Sequence, residues 1–310
     1  MQKITRIVLK LCLPAAVALA TATASCGGAL AQTPATSGKD SNAAALLQKH
    51  AALAGQLTNN PYRRPLVLES SESASTVSGN AYAVLDSPFS TVSSTFKSPN
   101  RWCEVLILHL NTKYCRASAG ANPSMLKVNI GKKTAQQLAD AFSLEFVFRQ
   151  GAASPDYMAT QLNADKGPLG TSDYRMELRA VPLPGGKTFM HLRYSYGYGV
   201  TSRLAMQGYL ATLGRGKVGF TAVGQSQPPA YVGGVRGAVE RNTMRYYLAI
   251  EAYLASLRRP SVQQLDARLQ YWFDATEEYS EQLHEVARDS YLSMKKDEYR
   301  RQQSPTAAPV

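Results

Sequence analysis

The sequence predicts an α+β fold: a curved antiparallel sheet wrapped around a long C-terminal helix, with an additional long C-terminal helix after it. Two patterns support this prediction. Short segments of strand composition, separated by turn residues, follow one another over residues 113–199. Over residues 232–260, apolar side chains then recur at spacings of three and four, which places them on one face of a single helix.

The chain begins with the features of a secretory signal peptide, which we assign to residues 1–31. Three cations precede an apolar run, and Ala29-Leu30-Ala31 is a small-residue cleavage site. A cut before Cys26 is the minor alternative and would produce a lipid-anchored protein. We therefore expect secretion across the inner membrane and a soluble periplasmic protein, because no later apolar run reaches the roughly 18 residues of a membrane span.

The mature chain carries an excess of positive charge that is spread along its length. Cleavage after Ala31 removes three of the 34 Lys and Arg residues, so that 31 remain against 22 Asp and Glu, a balance of +9. An exported protein without a concentrated basic and aromatic motif is not expected to bind nucleic acid. A solvated basic surface and a transient contact with a membrane surface or an acidic ligand both stay open.

Residues 32–60 are expected to form a linker and a short helical arm. The first part is polar and rich in small residues, which is typical of disorder, and helical composition begins at Asn42 and ends at Pro61. Extended chain follows in two pieces, with a bulge or bend at Gly79. Pro88 then starts one or two short helices that are broken at Pro99.

Two predicted strands alternate clearly, and their apolar faces are expected to point inward. They are joined by a hairpin at residues 184–187. Apolar walls with a few tyrosine hydroxyls suit an amphipathic ligand, whereas plain core packing is the alternative interpretation. The ligand-binding candidates on these strands are Tyr174, Met176, Met190, Leu192, Tyr194, Tyr196 and Tyr198.

The predicted long helix contributes four more ligand-binding candidates. Glycines cluster at its start, where free backbone amides beside Arg236 suit a phosphate or carboxylate; close approach of the helix to the sheet is the alternative. Met244 and Tyr247 are expected to face the cavity. Arg241 is the fourth candidate; together with Glu240 it is expected either to form an ion pair at the cavity mouth or to face solvent.

Cys103 and Cys115 are the only cysteines after residue 31. Two thiols at short separation in an oxidising compartment predict a disulfide, which contributes about 3 kcal/mol in the chain-entropy model. They are not expected to bind metal, because two ligands without His or acidic partners cannot complete a tetrahedral zinc shell.

Residues 260–303 are predicted to form one further helix of about 40 residues. A capping-box pattern begins at Ser261, and apolar positions then alternate at spacings of four and three from Leu265. Packing of this stripe on its own domain and a homodimer through this helix both stay open. Residues 304–310 are expected to be a disordered tail.

Motifs for a cofactor or for catalysis are absent from the sequence. Residues 214–219 match G-x-G-x-x-G, but a helix-like segment precedes them and a strand follows, so a turn is the better interpretation. The four histidines, His50, His109, His191 and His284, lie in separate segments and are expected to be surface or structural residues. An acid-base enzyme assembled from residues distant in the sequence stays open.

The order of these elements resembles the helix-grip fold. Residues 81–106, AYAVLDSPFSTVSSTFKSPNRWCEVL, place a strand before helices that end near a Trp, and residues 239–254, VERNTMRYYLAIEAYL, occupy the place of the closing helix. In this respect the chain is similar to the START lipid-transfer domains and their superfamily, which includes polyketide cyclase-like proteins. The resemblance assigns residues 61–259 to one such domain. It implies a cavity that holds a sterol, phospholipid or other apolar molecule, with catalysis as the exception.

Three functions are compatible with these patterns. The first is periplasmic binding or transfer of a hydrophobic or amphipathic, lipid-like ligand in a cavity between the sheet and the helix. The second is an enzyme of the cyclase or hydrolase type in the same cavity. The third is an assembly factor that acts through the helix at residues 260–303.

Overall fold

The computed structural model describes residues 38–118, 120, 123–211, 216–224 and 228–304. The predicted signal peptide, most of the predicted linker and all but the first residue of the predicted tail lie outside the described residues. Within the described part, no helix has both the length and the apolar character needed to cross a bilayer.

Helices and strands alternate along the chain in an α+β order. They are α1 (Gly38–Thr58), β1 (Leu66–Glu72), β2 (Thr76–Leu85), α2 (Phe89–Phe96), α3 (Pro99–Leu106), β3 (Thr112–Ala117), β4 (Ser124–Ile130), β5 (Phe142–Ser154), β6 (Tyr157–Lys166), β7 (Thr171–Leu183), β8 (Lys187–Tyr198), α4 (Val200–Ala211), β9 (Ala222–Val223), β10 (Ala230–Tyr231), α5 (Gly234–Ser256), α6 (Ser261–Glu277), α7 (Ser280–Leu283) and α8 (Arg288–Gln303).

Eight of the strands form one antiparallel sheet in the order β1-β2-β8-β7-β6-β5-β4-β3. The chain leaves β2 through α2 and α3, and β3 to β8 then run back across the sheet until β8 pairs with β2. The predicted α+β class is therefore confirmed. The strand expected after the G-x-G-x-x-G match does not join this sheet: among the described residues, β9 pairs with β10 in a separate small hairpin.

Side-chain alternation gives this sheet two apolar faces, and both are covered. The inner face carries Met190 and Leu192 and packs in the main core beneath α5. The outer face carries Phe189 and packs with Leu46 and Leu53 of α1. The predicted arm is thus a 21-residue helix that covers the back of the sheet.

Helix α5 lies against β1, β2 and β8. Its closest approach is at Gly79, where an added Cβ would lie 2.2 Å from Oγ1 of Thr243, so only glycine allows the helix to sit this close. Gly79 pairs with Ser70 on one side and with Tyr194 on the other. The strand is therefore continuous where a bulge or bend was predicted. A glycine is needed here for the close packing of α5, and not for a turn.

The buried carboxylate of Glu240 attaches the start of α5 to its surroundings. It accepts hydrogen bonds from the amides of Phe220 and Thr221, at 2.6 and 2.9 Å, and one from the hydroxyl of Ser70 in β1. Glu240 is fully buried and Arg241 is 2% exposed. The expectation that these two residues face solvent was wrong, because the segment before α5 folds over this turn of the helix.

The segment after Pro260 is helical, as expected, but it consists of the three helices α6, α7 and α8 instead of one. The first break lies at Tyr279, whose hydroxyl donates to the carbonyl of Tyr62 at 2.8 Å, so a tertiary contact replaces the continued helix. Leu269 and Trp272 of the predicted stripe are 1% exposed. Intramolecular packing of the stripe is therefore confirmed, and these residues are not open to a dimer partner.

A disulfide between Cys103 and Cys115 joins α3 to β3, as predicted. Both residues are buried in the main core. The bond closes a loop with a sequence separation of 12 residues between two elements that the chain must bring together.

We predict that Cys103→Ser lowers the free energy of unfolding by about 3 kcal/mol, since the open loop regains conformational entropy in the unfolded state. Urea titration of both proteins under non-reducing conditions measures this difference. The same titration with dithiothreitol is the control, because reduction removes the bond from the parent protein and the two midpoints should then converge. An unchanged midpoint without reductant would show that the disulfide does not stabilise the fold.

His191 lies on the outer face of the sheet. Its Nε2 lies 2.9 Å from Oδ1 of Asn80, and its ring stacks on Tyr82 with centroids 4.3 Å apart. Burial, together with the charge of Arg179, lowers the pKa of His191 to about 4. The folded protein therefore keeps this imidazole neutral at a pH where the unfolded chain, with a pKa of about 6.5, takes up a proton.

We predict that stability falls as the pH drops from 6.5 to about 4, and that it falls less in His191→Gln, which retains an amide donor for Asn80. At pH 4 the loss of unfolding free energy should differ between the two proteins by about 1 to 2 kcal/mol. This is less than the full pKa shift would give, because the ring is only partly buried and solvent screens part of the effect. Urea titrations at pH 7, 5 and 4 measure it. Parallel loss in both proteins would exclude His191 as a contributor to acid sensitivity.

Candidate functional site

Four tyrosines from neighbouring strands and one from α5 meet on the inner face of the sheet. Alternation in β8 places its three tyrosines on one face, and the register of β7 and β8 places Met176 opposite Tyr194. The rings of Tyr174 and Tyr196 stack at 5.3 Å, and the ring of Tyr194 meets that of Tyr246 at 5.2 Å. We call this group the tyrosine cluster: Tyr174, Tyr194, Tyr196, Tyr198 and Tyr246.

Packing on this face is tighter at one end than at the other. Near the β7–β8 hairpin, Met190 and Leu192 have no exposed surface. Towards the end of β8, each member of the tyrosine cluster retains between 5 and 9% of its surface. The tyrosine end is therefore the part of the inner face where side chains leave accessible surface beneath α5.

The hydroxyls at the edge of the cluster are satisfied by the protein. Tyr174 donates to Oγ1 of Thr171 at 2.9 Å, and Tyr198 donates to the carbonyl of Ser73 at 2.8 Å. These two contacts tie the cluster to the turns that flank β7 and β2.

The three deeper hydroxyls differ. Among the residues that the structure describes, none forms a hydrogen bond with the hydroxyl of Tyr194, Tyr196 or Tyr246. Burial raises the pKa of all three, so they are neutral at physiological pH. A hydroxyl that makes no hydrogen bond within the protein is free to donate to or accept from a group outside the chain. The three hydroxyls therefore suit a ligand that carries a polar group.

His109, from the segment between α3 and β3, lies behind the cluster. Its ring stacks on Tyr246 with centroids 4.8 Å apart. Nδ1 accepts the amide of Asn111 at 3.2 Å, so in the neutral ring the proton is on Nε2. Burial, with the charges of Arg245 and Lys295, lowers the pKa of His109 well below its usual range.

Nε2 of His109 is buried and has no hydrogen-bond partner within the described part of the chain. The side chain of Asn242 lies beside it without reaching hydrogen-bond geometry. The expectation of a surface or structural role thus missed a buried neutral donor next to the tyrosine cluster.

The structure groups only part of the predicted site. The seven strand candidates share the inner face, and Met244 is fully buried in the same core. The other three helix candidates make contacts elsewhere. Arg236 donates to the hydroxyl of Ser70, Arg241 to the carbonyl of Val218, and Tyr247 to Glu251.

Tyr246 and His109 are the site residues that sequence reasoning missed. Tyr246 belongs to the apolar stripe of the long helix, which points at the sheet, whereas the neighbouring Tyr247 is rotated by about 100° and reaches Glu251. The stripe could therefore have identified Tyr246. No pattern in the sequence marks His109, because its position depends on how α3 joins β3.

A surface groove of about 460 Å³ lies elsewhere, between the end of α5 and α6. It contains none of the predicted site residues, and its walls include Ser256, Arg259, Asp266 and Tyr271. Within the described residues, His, Cys, Asp and Glu side chains form no group suited to a metal ion. The tyrosine cluster therefore stays the candidate site.

An antiparallel sheet with α5 lying across β1, β2 and β8 is the arrangement that the resemblance predicts. The fold is a helix grip. No family model matches the chain, and no curated protein matches it.

Several solved structures are similar to this helix-grip chain. Human StAR-related lipid transfer protein 5 matches with a TM-score of 0.35 and 8% identity, over 72% of this chain and 99% of that one. Truncated norcoclaurine synthase from Thalictrum flavum matches with a TM-score of 0.30 and 12% identity, over 46% and 92%. The Zhui aromatase/cyclase from Streptomyces sp. R1128 matches with a TM-score of 0.29 and 11% identity, over 64% and 94%.

We predict different effects from removing two hydroxyls in the same strand. Tyr198→Phe should destabilise the protein by about 1 kcal/mol, because it deletes a made hydrogen bond. Tyr194→Phe should be close to neutral, because it deletes a hydroxyl that forms no hydrogen bond with a described residue. Urea titration of the ligand-free proteins measures both, and equal losses would contradict the assignment of Tyr194 as unpartnered.

Proposed function

We propose that this helix-grip chain binds a hydrophobic or amphipathic, lipid-like molecule against the tyrosine cluster, between the sheet and α5. The observation that carries the proposal is the set of three neutral hydroxyls without a partner among the described residues, surrounded by apolar rings. Apolar walls supply affinity by burying apolar surface, and a few polar groups fix the orientation of the ligand.

We further propose that binding takes place in the periplasm. The signal-peptide pattern of residues 1–31 supports export. The disulfide between Cys103 and Cys115 supports an oxidising compartment, because such bonds persist outside the cytoplasm. Cleavage after Ala31 is the preferred form, and a lipid anchor at Cys26 is the alternative.

Transfer to or from a membrane also has support at the edge of the cluster. Helix α4 follows β8 directly and packs against the turn at residues 168–170. On this edge Leu169, Val200 and Leu204 are between 60 and 78% exposed. Apolar side chains in this position favour transient contact with a bilayer, where an apolar ligand can enter or leave without crossing water.

An enzyme in the same site is the second candidate, and His109 is the observation that favours it. A neutral imidazole stacked on the ring of Tyr246 places two groups that can exchange protons beside the same site. A reaction of the cyclase or hydrolase type would use such a pair as general acid and base.

The first test is native mass spectrometry of the protein recovered from its own periplasmic fraction, followed by organic extraction. We expect a bound lipid-like molecule in near-stoichiometric amount, because the rings of the cluster supply apolar contact and three of its hydroxyls have no partner among the described residues. The protein mass reports at the same time whether the chain starts at Gln32 or carries a lipid at Cys26. Protein that is empty, and that takes up nothing from a membrane lipid extract, would overturn the binding proposal.

The matched control uses two phenylalanine variants on opposite faces of the sheet. Tyr196→Phe removes a hydroxyl of the cluster, whereas Tyr82→Phe removes one beneath α1. Ligand occupancy should fall in Tyr196→Phe and stay at the parent level in Tyr82→Phe.

A further inference from the structure

We infer that the ligand presents an acceptor oxygen, a carbonyl or a carboxylate, to hydrogen-bond donors formed by Tyr194, Tyr246 and His109. This inference rests on the proposed binding function and names the chemistry of the ligand's polar group. It concerns one end of the tyrosine cluster, the end next to the segment that joins α3 to β3.

The three side chains are consecutive neighbours. The ring of Tyr246 is 4.8 Å from that of His109 and 5.2 Å from that of Tyr194. Tyr246 therefore contacts both the imidazole and the strand residue, and the three side chains form one continuous row.

The donor character of this end comes from His109. A tyrosine hydroxyl can donate or accept, so the hydroxyls alone do not select a ligand. The imidazole differs, because Nδ1 is already used as an acceptor for the amide of Asn111 and Nε2–H is left to donate. A group that can only donate selects for an acceptor.

The charges around this end favour the same ligand chemistry. Arg245, which is 2% exposed, and Lys295, which is fully buried, both disfavour a positive charge on His109. Glu285 pairs with Arg245 at 2.8 Å, and Glu298 pairs with Lys295 at 2.6 Å, so each cation has an acidic partner. Even with these acidic partners, the two cations still disfavour a positive charge at the imidazole. A protonated amine head group is therefore disfavoured here.

The test measures displacement of the neutral probe N-phenyl-1-naphthylamine by four ligands with matched chains: dodecanoate, 2-tridecanone, dodecylamine and tridecane. We expect the carboxylate or the ketone to bind at least about tenfold more tightly than the amine and the alkane, which is the difference that one good hydrogen bond makes. Whether dodecanoate or 2-tridecanone binds more tightly then shows whether the site prefers an anionic or a neutral acceptor.

Two variants assign the preference to these residues. His109→Phe retains a ring against Tyr246 and removes the donor, and Tyr246→Phe removes the neighbouring hydroxyl. Each should lower the affinity for the preferred ligand about tenfold and leave tridecane unchanged. Tyr82→Phe, on the opposite face, should behave like the parent protein. If His109→Phe does not fold, as judged by circular dichroism, Tyr246→Phe carries the comparison.

The outcomes separate the two proposals. An amine that binds as tightly as the carboxylate and the ketone, or variants that change all four affinities equally, would overturn the inference and leave the binding function intact. Failure of the probe and of all four ligands to bind would overturn the binding function itself.

Discussion

The close approach of α5 to β2 is the contact on which the rest of the structure depends. Gly79 allows Thr243 to sit against the strand, and the buried carboxylate of Glu240 holds the turn of helix before it. Once these contacts are made, the helical repeat directs Tyr246 to the inner face above Tyr194. The position of the helix therefore determines which side chains surround the candidate site, and a bulkier residue at position 79 would displace all of them together.

The C-terminal helices support α5 from the side away from the sheet. Trp272 of α6 donates to a carbonyl of α5, and α8 is attached to β3 by Glu298, which accepts from Lys113 at 3.0 Å and from Lys295 at 2.6 Å. Burial lowers the pKa of Lys295 to about 8. Such buried charges contribute little net stability, but removing one partner leaves another uncompensated, so they specify where α8 must lie.

Some polar groups in this core have hydrogen-bond partners within the chain, and others have none among the described residues. At the C-terminal helices, buried lysines and glutamates find partners within the chain, and Lys295 also donates to the carbonyls of His109 and Thr112. In the tyrosine cluster, Tyr194 and Tyr246 find none among the described residues. Elsewhere in the described core, the hydroxyl of Tyr114 and Oε1 of Gln302 are buried without a partner. The cluster differs from these isolated atoms because its unpartnered hydroxyls lie on neighbouring rings that each retain accessible surface.

The sequence alone determined the features that depend on local periodicity and on the turn and capping residues at the ends of elements. These are the strands from β3 to β8, the inward faces of β7 and β8, the long helix α5 and the pairing of Cys103 with Cys115. Only the tertiary structure decided which helical residues reach the site, because stripes one residue apart differ by about 100° and point at different neighbours. It also decided the break at Tyr279, the burial of Glu240 and the place of His109. Each of these depends on contacts between segments distant in the chain, which no local pattern records.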